Sequence, residues 1–495
     1  MRMTAAARVA ARGWGWRHGD RPRPAVSGLD LDVEPGERVL LLGASGAGKS
    51  TLLAGLAGVL GDAEDGDRTG ELLVDGRRPE AARGRVGLVL QDPDGQTVLA
   101  RVGDEVAFGC ENLGLPRDEI WRRVREALDA VGLDLPLEHP SSELSGGQKQ
   151  RLAIASVLAM RPGLVLLDEP TANLDPDGVV EVRDAVARLV ADRDTTLIVV
   201  EHRVETWVDL VDRVVVLEPG GGVRADGAPD AVLVARGAEL AAEGIWVPGR
   251  HPVVPRGSRP ADAPELLVAE GLAVGRRRFG ERQPRTAADG IELTVRGGRT
   301  TAILGPNGAG KSTLGLTLAG LLTPVAGGVT ALPTLAGKLG PAPIRWRSRE
   351  LAARIGTVFQ DPEHQFLRGS VRDELEVGPR ALKLPDAEVA SVRDRLAQRL
   401  RLTALLEANP FTLSGGEKRR LSVATALATA PRVLVADEPS FGQDALTWAE
   451  LVRLLDELVA EGTALVTVTH DAALVDALAD ERFVLAAAAA REVAP

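Results

Sequence analysis

The sequence predicts two tandem α/β domains, each with a mainly parallel core sheet and a helical subdomain. Three observations lead there. The glycine-rich stretch Gly43-Ala44-Ser45-Gly46-Ala47-Gly48-Lys49-Ser50-Thr51 follows the apolar run Val39-Leu40-Leu41-Leu42. The same pattern returns at Gly305-Pro306-Asn307-Gly308-Ala309-Gly310-Lys311-Ser312-Thr313, after Thr301-Ala302-Ile303-Leu304. Around both, short apolar runs alternate with helix-length segments, as in chains that build parallel sheets.

A buried strand, a glycine-rich turn and an opening helix together make a P-loop. Glycines at 43, 46 and 48, and again at 305, 308 and 310, let the backbone come close to phosphate oxygens and aim N–H groups at them. Lys49 and Lys311 are suited to the β/γ-phosphates, and the Ser50 and Ser312 hydroxyls to Mg²⁺; Thr51 and Thr313 complete the two stretches. A single match could be a glycine-rich turn with a stray lysine, but two matches in the same context make chance a poor explanation.

The repeat extends through the chain. Lys49 and Lys311 lie 262 residues apart (311 − 49), and Gln91 and Gln360 lie 269 apart (360 − 91). Ser145 and Ser414, and Asp168 and Asp437, keep the 269-residue separation, and His202 and His470 stand 268 apart (470 − 202). The second copy thus carries seven extra residues between its P-loop and its glutamine, and residues 333–349, rich in Pro, Gly and Arg, are the place for them. A period this long marks a duplicated domain, since solenoid units repeat every ~20–50 residues. The first domain is expected over residues 7–240, a Pro/Gly-rich linker over 241–264 and the second domain over 265–495.

Downstream of each P-loop, a polar and mostly helical insertion is expected, over about residues 92–140 in the first copy. Short strands return at residues 164–167 and 196–200, and again at 433–436 and 464–468. Asp168 and Glu169 follow the first of these, at the carboxyl end where open α/β sheets bind ligands. An acidic residue there suits Mg²⁺, and the adjacent glutamate suits the activation of a water. Asp437 and Glu438 repeat the pair. An Asp-Glu dipeptide alone reads equally as a solvated strand end; the upstream P-loop tips the balance. Leu144-Ser145-Gly146-Gly147-Gln148-Lys149-Gln150-Arg151 and Leu413-Ser414-Gly415-Gly416-Glu417-Lys418-Arg419-Arg420 each precede an apolar-periodic helix. A serine N-cap followed by bare glycine N–H groups makes a second anion site, though a simple capped helix would look the same in one copy.

Composition sets the outer bounds. The net charge of −11 argues against broad nucleic-acid binding. The single cysteine, Cys110, excludes an intramolecular disulfide and reads as a small buried apolar residue. No apolar run approaches the ~20 residues that span a bilayer.

The order P-loop, glutamine, LSGGQ-like signature, Asp-Glu pair and histidine resembles the ATP-binding cassette (ABC) ATPases over nearly the whole chain except the linker. The resemblance implies ATP and Mg²⁺ as ligands. It implies that Gln91 and Gln360 are Q-loop residues that sense Mg²⁺ and a transporter partner, and that His202 and His470 are switch histidines near the γ-phosphate. Glu169 and Glu438, with these histidines, become the catalytic groups; Ser50, Gln91 and Asp168, and likewise Ser312, Gln360 and Asp437, become the Mg²⁺ groups. Ala172-Asn173-Leu174-Asp175 resembles the D-loop, and Phe441-Gly442-Gln443-Asp444 keeps its aspartate. Glu201 precedes His202, whereas Thr469 precedes His470. For adenine, Trp16 is the candidate stacking ring in the first copy, with core packing the competing reading; Val274 or Phe279 are what the second copy offers.

In that family two cassettes meet head to tail. The resemblance therefore implies an intramolecular cassette dimer, in which Ser414, Gly415 and Gly416 complete the Lys49 site and Ser145, Gly146 and Gly147 complete the Lys311 site. The segments Gln91-Asp92-Pro93-Asp94-Gly95-Gln96 and Gln360-Asp361-Pro362-Glu363-His364-Gln365, with Asp104-Glu105-Val106-Ala107-Phe108-Gly109 behind the first, resemble the ATPases of energy-coupling factor (ECF) importers. These take up vitamins and transition-metal ions. The implied partners are integral membrane subunits, with this chain peripheral on the cytoplasmic face. A fused sugar-importer ATPase and a soluble ABC-F-type translation factor are the alternatives; the first commonly has a degenerate second site, and the second a long charged helical linker.

Overall fold

The structure, a computed structural model, describes residues 5–19, 23–61, 65–82, 84–91, 93–172, 174–191, 194–277 and 283–486. Asp92, Asn173, Phe279 and residues 487–495 of the expected second domain lie outside the described residues. By internal packing the chain forms two units, residues 1–251 and 252–495, with Asp444–Leu446 grouped with the first.

Unit one contains strands β1 (Val9–His18), β2 (Val26–Val33), β3 (Arg38–Gly43), β4 (Gly66–Val74), β5 (Val86–Val89), β6 (Leu164–Asp168), β7 (Thr196–Val200), β8 (Arg213–Glu218) and β9 (Gly221–Gly227). Its main sheet has the order β5-β6-β7-β3-β8-β9, parallel except for the β8–β9 hairpin. The central strands read as unbroken apolar runs because both faces are covered. Leu41, Leu166 and Ile198 pack in one buried cluster, while their neighbours Leu40, Leu167 and Leu197 pack in another on the opposite face. The first cluster also takes Leu52, Leu53 and Leu56 from the helix Lys49–Ala57, and residues of the antiparallel sheet β2-β1-β4. The second includes Val106 and Cys110 of the helix Val102–Asn112 and Val124 and Leu128 of the helix Arg117–Ala130, so the insertion after the Q-loop is helical and packed.

Unit two repeats the plan with β10 (Glu265–Arg276), β11 (Arg285–Arg296), β12 (Thr300–Leu304), β13 (Ala326–Ala331), β14 (Ile355–Val358), β15 (Val433–Asp437), β16 (Ala464–Val468) and β17 (Glu481–Val484). Its main sheet is β14-β15-β16-β12-β17, parallel throughout, beside the antiparallel sheet β11-β10-β13. From Lys311 to the start of β14 is 44 residues (355 − 311), against 37 (86 − 49) in unit one. The seven extra residues therefore fall before β14, where the short helices Pro333–Ala336 and Ser348–Ala352 lie.

The proline-rich stretch between the repeats is packed at both ends. Ile245 and Val247 are buried in the core of unit one. In unit two, Arg259 pairs with Asp456 at 2.7 Å and with Asp480 at 3.3 Å, and Arg256 reaches the same Asp480.

Candidate functional site

In each unit the P-loop leaves the carboxyl end of a central strand, β3 or β12, and enters a helix whose N-cap is a left-handed glycine, Gly48 at φ +84° or Gly310 at φ +90°. A Cβ at Gly48 would meet Val26 Cγ2 at 2.4 Å and the Ala25 carbonyl oxygen at 2.5 Å, so only glycine fits. The lysine at the start of each helix is buried and folds back over its own loop. Lys49 Nζ donates to the carbonyls of Gly43 (2.8 Å) and Ala44 (3.2 Å), and Lys311 Nζ to those of Gly305 (2.8 Å) and Pro306 (2.9 Å). Burial lowers the Lys49 ammonium, with Glu169 and Asp168 opposing.

Parallel pairing of β3 with β7, and of β7 with β6, brings the Asp-Glu pair beside the P-loop. The Asp168 carboxyl is hydrogen-bonded to Ser50 and, through burial and then its neighbour Glu169, is raised to about 6. Asp437 is likewise hydrogen-bonded to Ser312 and raised by burial. A hydroxyl and a carboxylate in contact form the hard oxygen pair that Mg²⁺ takes alongside phosphate oxygens and waters, so the residues present fit that ion. Both glutamates have left-handed backbone, φ +48° at Glu169 and at Glu438. Each still ties its N–H to the neighbouring strand, to Val200 or Val468.

The surroundings of the two glutamates differ. Glu169 accepts from Gln91 Nε2 at 2.8 Å and lies 3.2 Å from His202 Nε2. Burial acts to raise its carboxyl, but His202, Lys49 and the Gln91 amide together hold it below the ordinary range. Glu438 accepts from Thr469 Oγ1 and from the His470 N–H, both at 2.9 Å. There burial and Asp437 prevail, and its carboxyl is pushed up to about 7. His470 Nε2 instead meets Asn307 Oδ1 of its own P-loop at 3.0 Å. Glu201, in place of Thr469, turns away to accept from the backbone of Thr171, His202 and Arg203.

The signature serines cap separate helices. Ser145 and Ser414 each accept from the residue three positions on, Gln148 and Glu417, whose side chains return the bond to the serine N–H. Ser145, Gly146, Ser414 and Gly415 are exposed. Trp16 needs correction as an adenine platform: it is only 2 % exposed, packed in the core, and has no open face. Its indole N–H donates to His18 Nδ1 at 3.3 Å, and His18 Nε2 lies 3.4 Å from Thr51 Oγ1, so the half-buried ring beside the P-loop helix is His18. The signal that could have found His18 is its position two residues beyond Trp16 on the same strand. Val274 is fully buried.

A groove of about 610 Å³ opens beside the Q-loop of unit one, lined by Leu88, Gln96, Val98, Phe108, Leu113 and Met160 among others. Val98 is 72 % exposed and Phe108 44 %. Glu105 shapes its edge by accepting the N–H groups of Val98 and Leu99, and Gln96 bridges Leu90 N–H and the Leu88 carbonyl.

A family model described as "ABC transporter" matches residues 26–172 and 288–441. The chain belongs to the ABC transporter family. This ABC ATPase is 36 % identical over 488 residues to the "Putative HMP/thiamine import ATP-binding protein YkoD" of Bacillus subtilis, covering 94 % of this chain and 87 % of that one. It is 35 % identical over 521 residues to a "Putative ABC transporter ATP-binding protein" of Streptomyces coelicolor, with 94 % and 89 % covered. Among solved structures, a ribosome-bound archaeal Pelota and ABCE1 model shares its fold at TM-score 0.62 and 21 % identity, over 95 % of this chain and 76 % of that chain. The protein is an ATP-binding ABC ATPase coupled to transport. Among the described residues no helix is long and apolar enough to cross a membrane.

Proposed function

We propose that this ATPase energises an ECF-type importer of a vitamin, a vitamin precursor or a transition-metal ion, as a peripheral subunit on the cytoplasmic face of the membrane. The observation that carries the reading is the groove of unit one, where exposed Phe108 and Val98 stand directly behind the Q-loop. An apolar groove lined in this way suits a short helix from a membrane subunit, which would then touch the Q-loop at Gln96. The name of the Bacillus subtilis relative supports a vitamin precursor as cargo.

Chemically, each ATP is taken by one P-loop and completed by the signature of the other cassette. Lys49 and the P-loop N–H groups hold the phosphates of the first site, Ser50, Asp168 and Gln91 would hold Mg²⁺, Glu169 orients and deprotonates the attacking water, and His202 steadies the γ-phosphate. Lys311, Ser312, Asp437, Gln360, Glu438 and His470 do the same in the second. Mg²⁺ held there would supply neutralisation of the charge that develops on the phosphates. Closure around two ATP molecules, and reopening after hydrolysis, shifts the population of the membrane subunits because ATP favours the closed state. Fusion of the cassettes raises the effective concentration of the partner half, to roughly millimolar for a short linker.

The test is purification of the tagged full chain from gently solubilised membranes, in wild type and Phe108→Asp forms. Recovery of small integral membrane proteins with the wild type, and their loss with the variant, is the expected result. Recovery of ribosomes instead would favour the translation-factor reading, and recovery of sugar-permease subunits the sugar importer.

A further inference from the structure

Among the buried positions at which the two signature helices differ, one carries a neutral amide in the first and a guanidinium in the second. Five residues after the signature serine, the first cassette has Gln150 and the second has Arg419, and both are buried. The Gln150 amide nitrogen has no hydrogen-bond partner. Arg419 donates from Nη1 to the Phe359 carbonyl at 2.6 Å and to the Asp437 carbonyl at 3.4 Å, and from Nη2 to the Gln360 carbonyl. The residue before it, Lys418, pairs with Glu363 of the same loop. A guanidinium is a planar fork of fixed donors, so gripping three carbonyls fixes their spacing. Those carbonyls belong to the entry of the Q-loop and to the end of β15, the two backbone segments that carry Gln360 and Asp437. In the first cassette the corresponding loop is instead held through the Gln91 side chain on Glu169.

We propose that Arg419 is a positioning residue of the second cassette, which sets the Q-loop against the end of β15 so that Gln360 and Asp437 converge on one Mg²⁺. The proposal rests on the assignment of Gln360 and Asp437 as Mg²⁺ groups. It makes the two sites unequal in how their metal groups are held: by a buried arginine from the signature helix in the second, by the glutamine's own side chain in the first.

The experiment uses the full chain carrying Lys49→Ala, which leaves the second P-loop as the reporting site. Binding of a fluorescent, non-hydrolysable ATP analogue is titrated with Mg²⁺, and hydrolysis by the chain with Lys49 intact is measured alongside. Arg419→Gln should raise the Mg²⁺ needed for half-maximal binding about tenfold, the scale on which outer partners of a metal ligand act. Analogue binding without Mg²⁺ should stay unchanged, which a merely structural role would not preserve. Arg419→Lys, which keeps the charge but loses the fork, should fall between, and serves alone if the glutamine variant does not fold. An unchanged Mg²⁺ requirement in both variants overturns the proposal. Gln360→Ala separates the two layers: if it too leaves the requirement unchanged, the Mg²⁺ assignment fails, and if it raises the requirement while Arg419→Gln does not, only the role of Arg419 fails.

Discussion

The P-loop glycines are not equivalent, and alanine substitutions separate their roles. Gly46 (φ +80°) and Gly48 (φ +84°) share a left-handed backbone, but a Cβ at Gly46 meets nothing within 4 Å, whereas one at Gly48 runs into the Ala25 carbonyl and Val26. Left-handed backbone costs alanine about 1–2 kcal/mol, and both variants bear that. Only Gly48→Ala adds a clash with backbone that no rotamer relieves, for which overpacking suggests about 1–3 kcal/mol more. Gly46→Ala should therefore lose about 1–2 kcal/mol and Gly48→Ala about 2–5. In a unit of this size each kcal/mol lowers the melting temperature by about 2–4 °C. Calorimetric melting of the nucleotide-free full chain should show the Gly48 variant falling clearly below the Gly46 variant. In the second P-loop the same order should hold with a smaller gap, because the nearest atom to a Cβ at Gly310 is the Ala287 methyl, at 3.0 Å, and the backbone stands off at 3.7 Å. Equal shifts for Gly46→Ala and Gly48→Ala would refute the reasoning.

Other outcomes follow from the same geometry. The double variant Glu169→Gln, Glu438→Gln should lose hydrolysis by at least about 10²-fold, the usual contribution of a positioned base, while equilibrium ATP binding survives; full residual hydrolysis would remove both glutamates from the chemistry. Arg259→Ala removes the largely buried ion-pair partner of Asp456, while Asp480 keeps Arg256. Breaking such a pair costs about 3–5 kcal/mol, so the melting of unit two should drop by several degrees, and an unchanged melting curve would show the cluster to be idle.

Much of this architecture is legible from pattern alone. The strand before the first P-loop and the strand before each Asp-Glu pair carry continuous apolar runs, and burial on both faces of a parallel strand is why such runs exist. Spacing arithmetic alone places the seven-residue insertion, which falls before β14. Less legible is whatever depends on how one side chain meets another. Trp16 and His18 both sit on β1, and periodicity cannot tell that the larger ring is sealed under the sheet while the smaller faces the P-loop helix. Nor can it tell that His202 contacts its glutamate while His470 reaches Asn307. The stretch between the repeats reads as a linker because prolines interrupt its periodicity; what composition hides is Arg259, whose two carboxylate partners lie about two hundred residues downstream.

Glu169 and Glu438 sit where a side chain is least welcome, in left-handed backbone at the end of a buried strand. Glycine at either position would release that strain and, in the same step, delete the carboxylate. With both positions changed to glycine, the chain should be relieved of about 1–2 kcal/mol of backbone strain at each site while losing hydrolysis, so that in this protein the most relaxed backbone and the working sequence are different molecules. A search for stable forms that ranks variants by backbone strain alone would discard the two residues on which turnover depends.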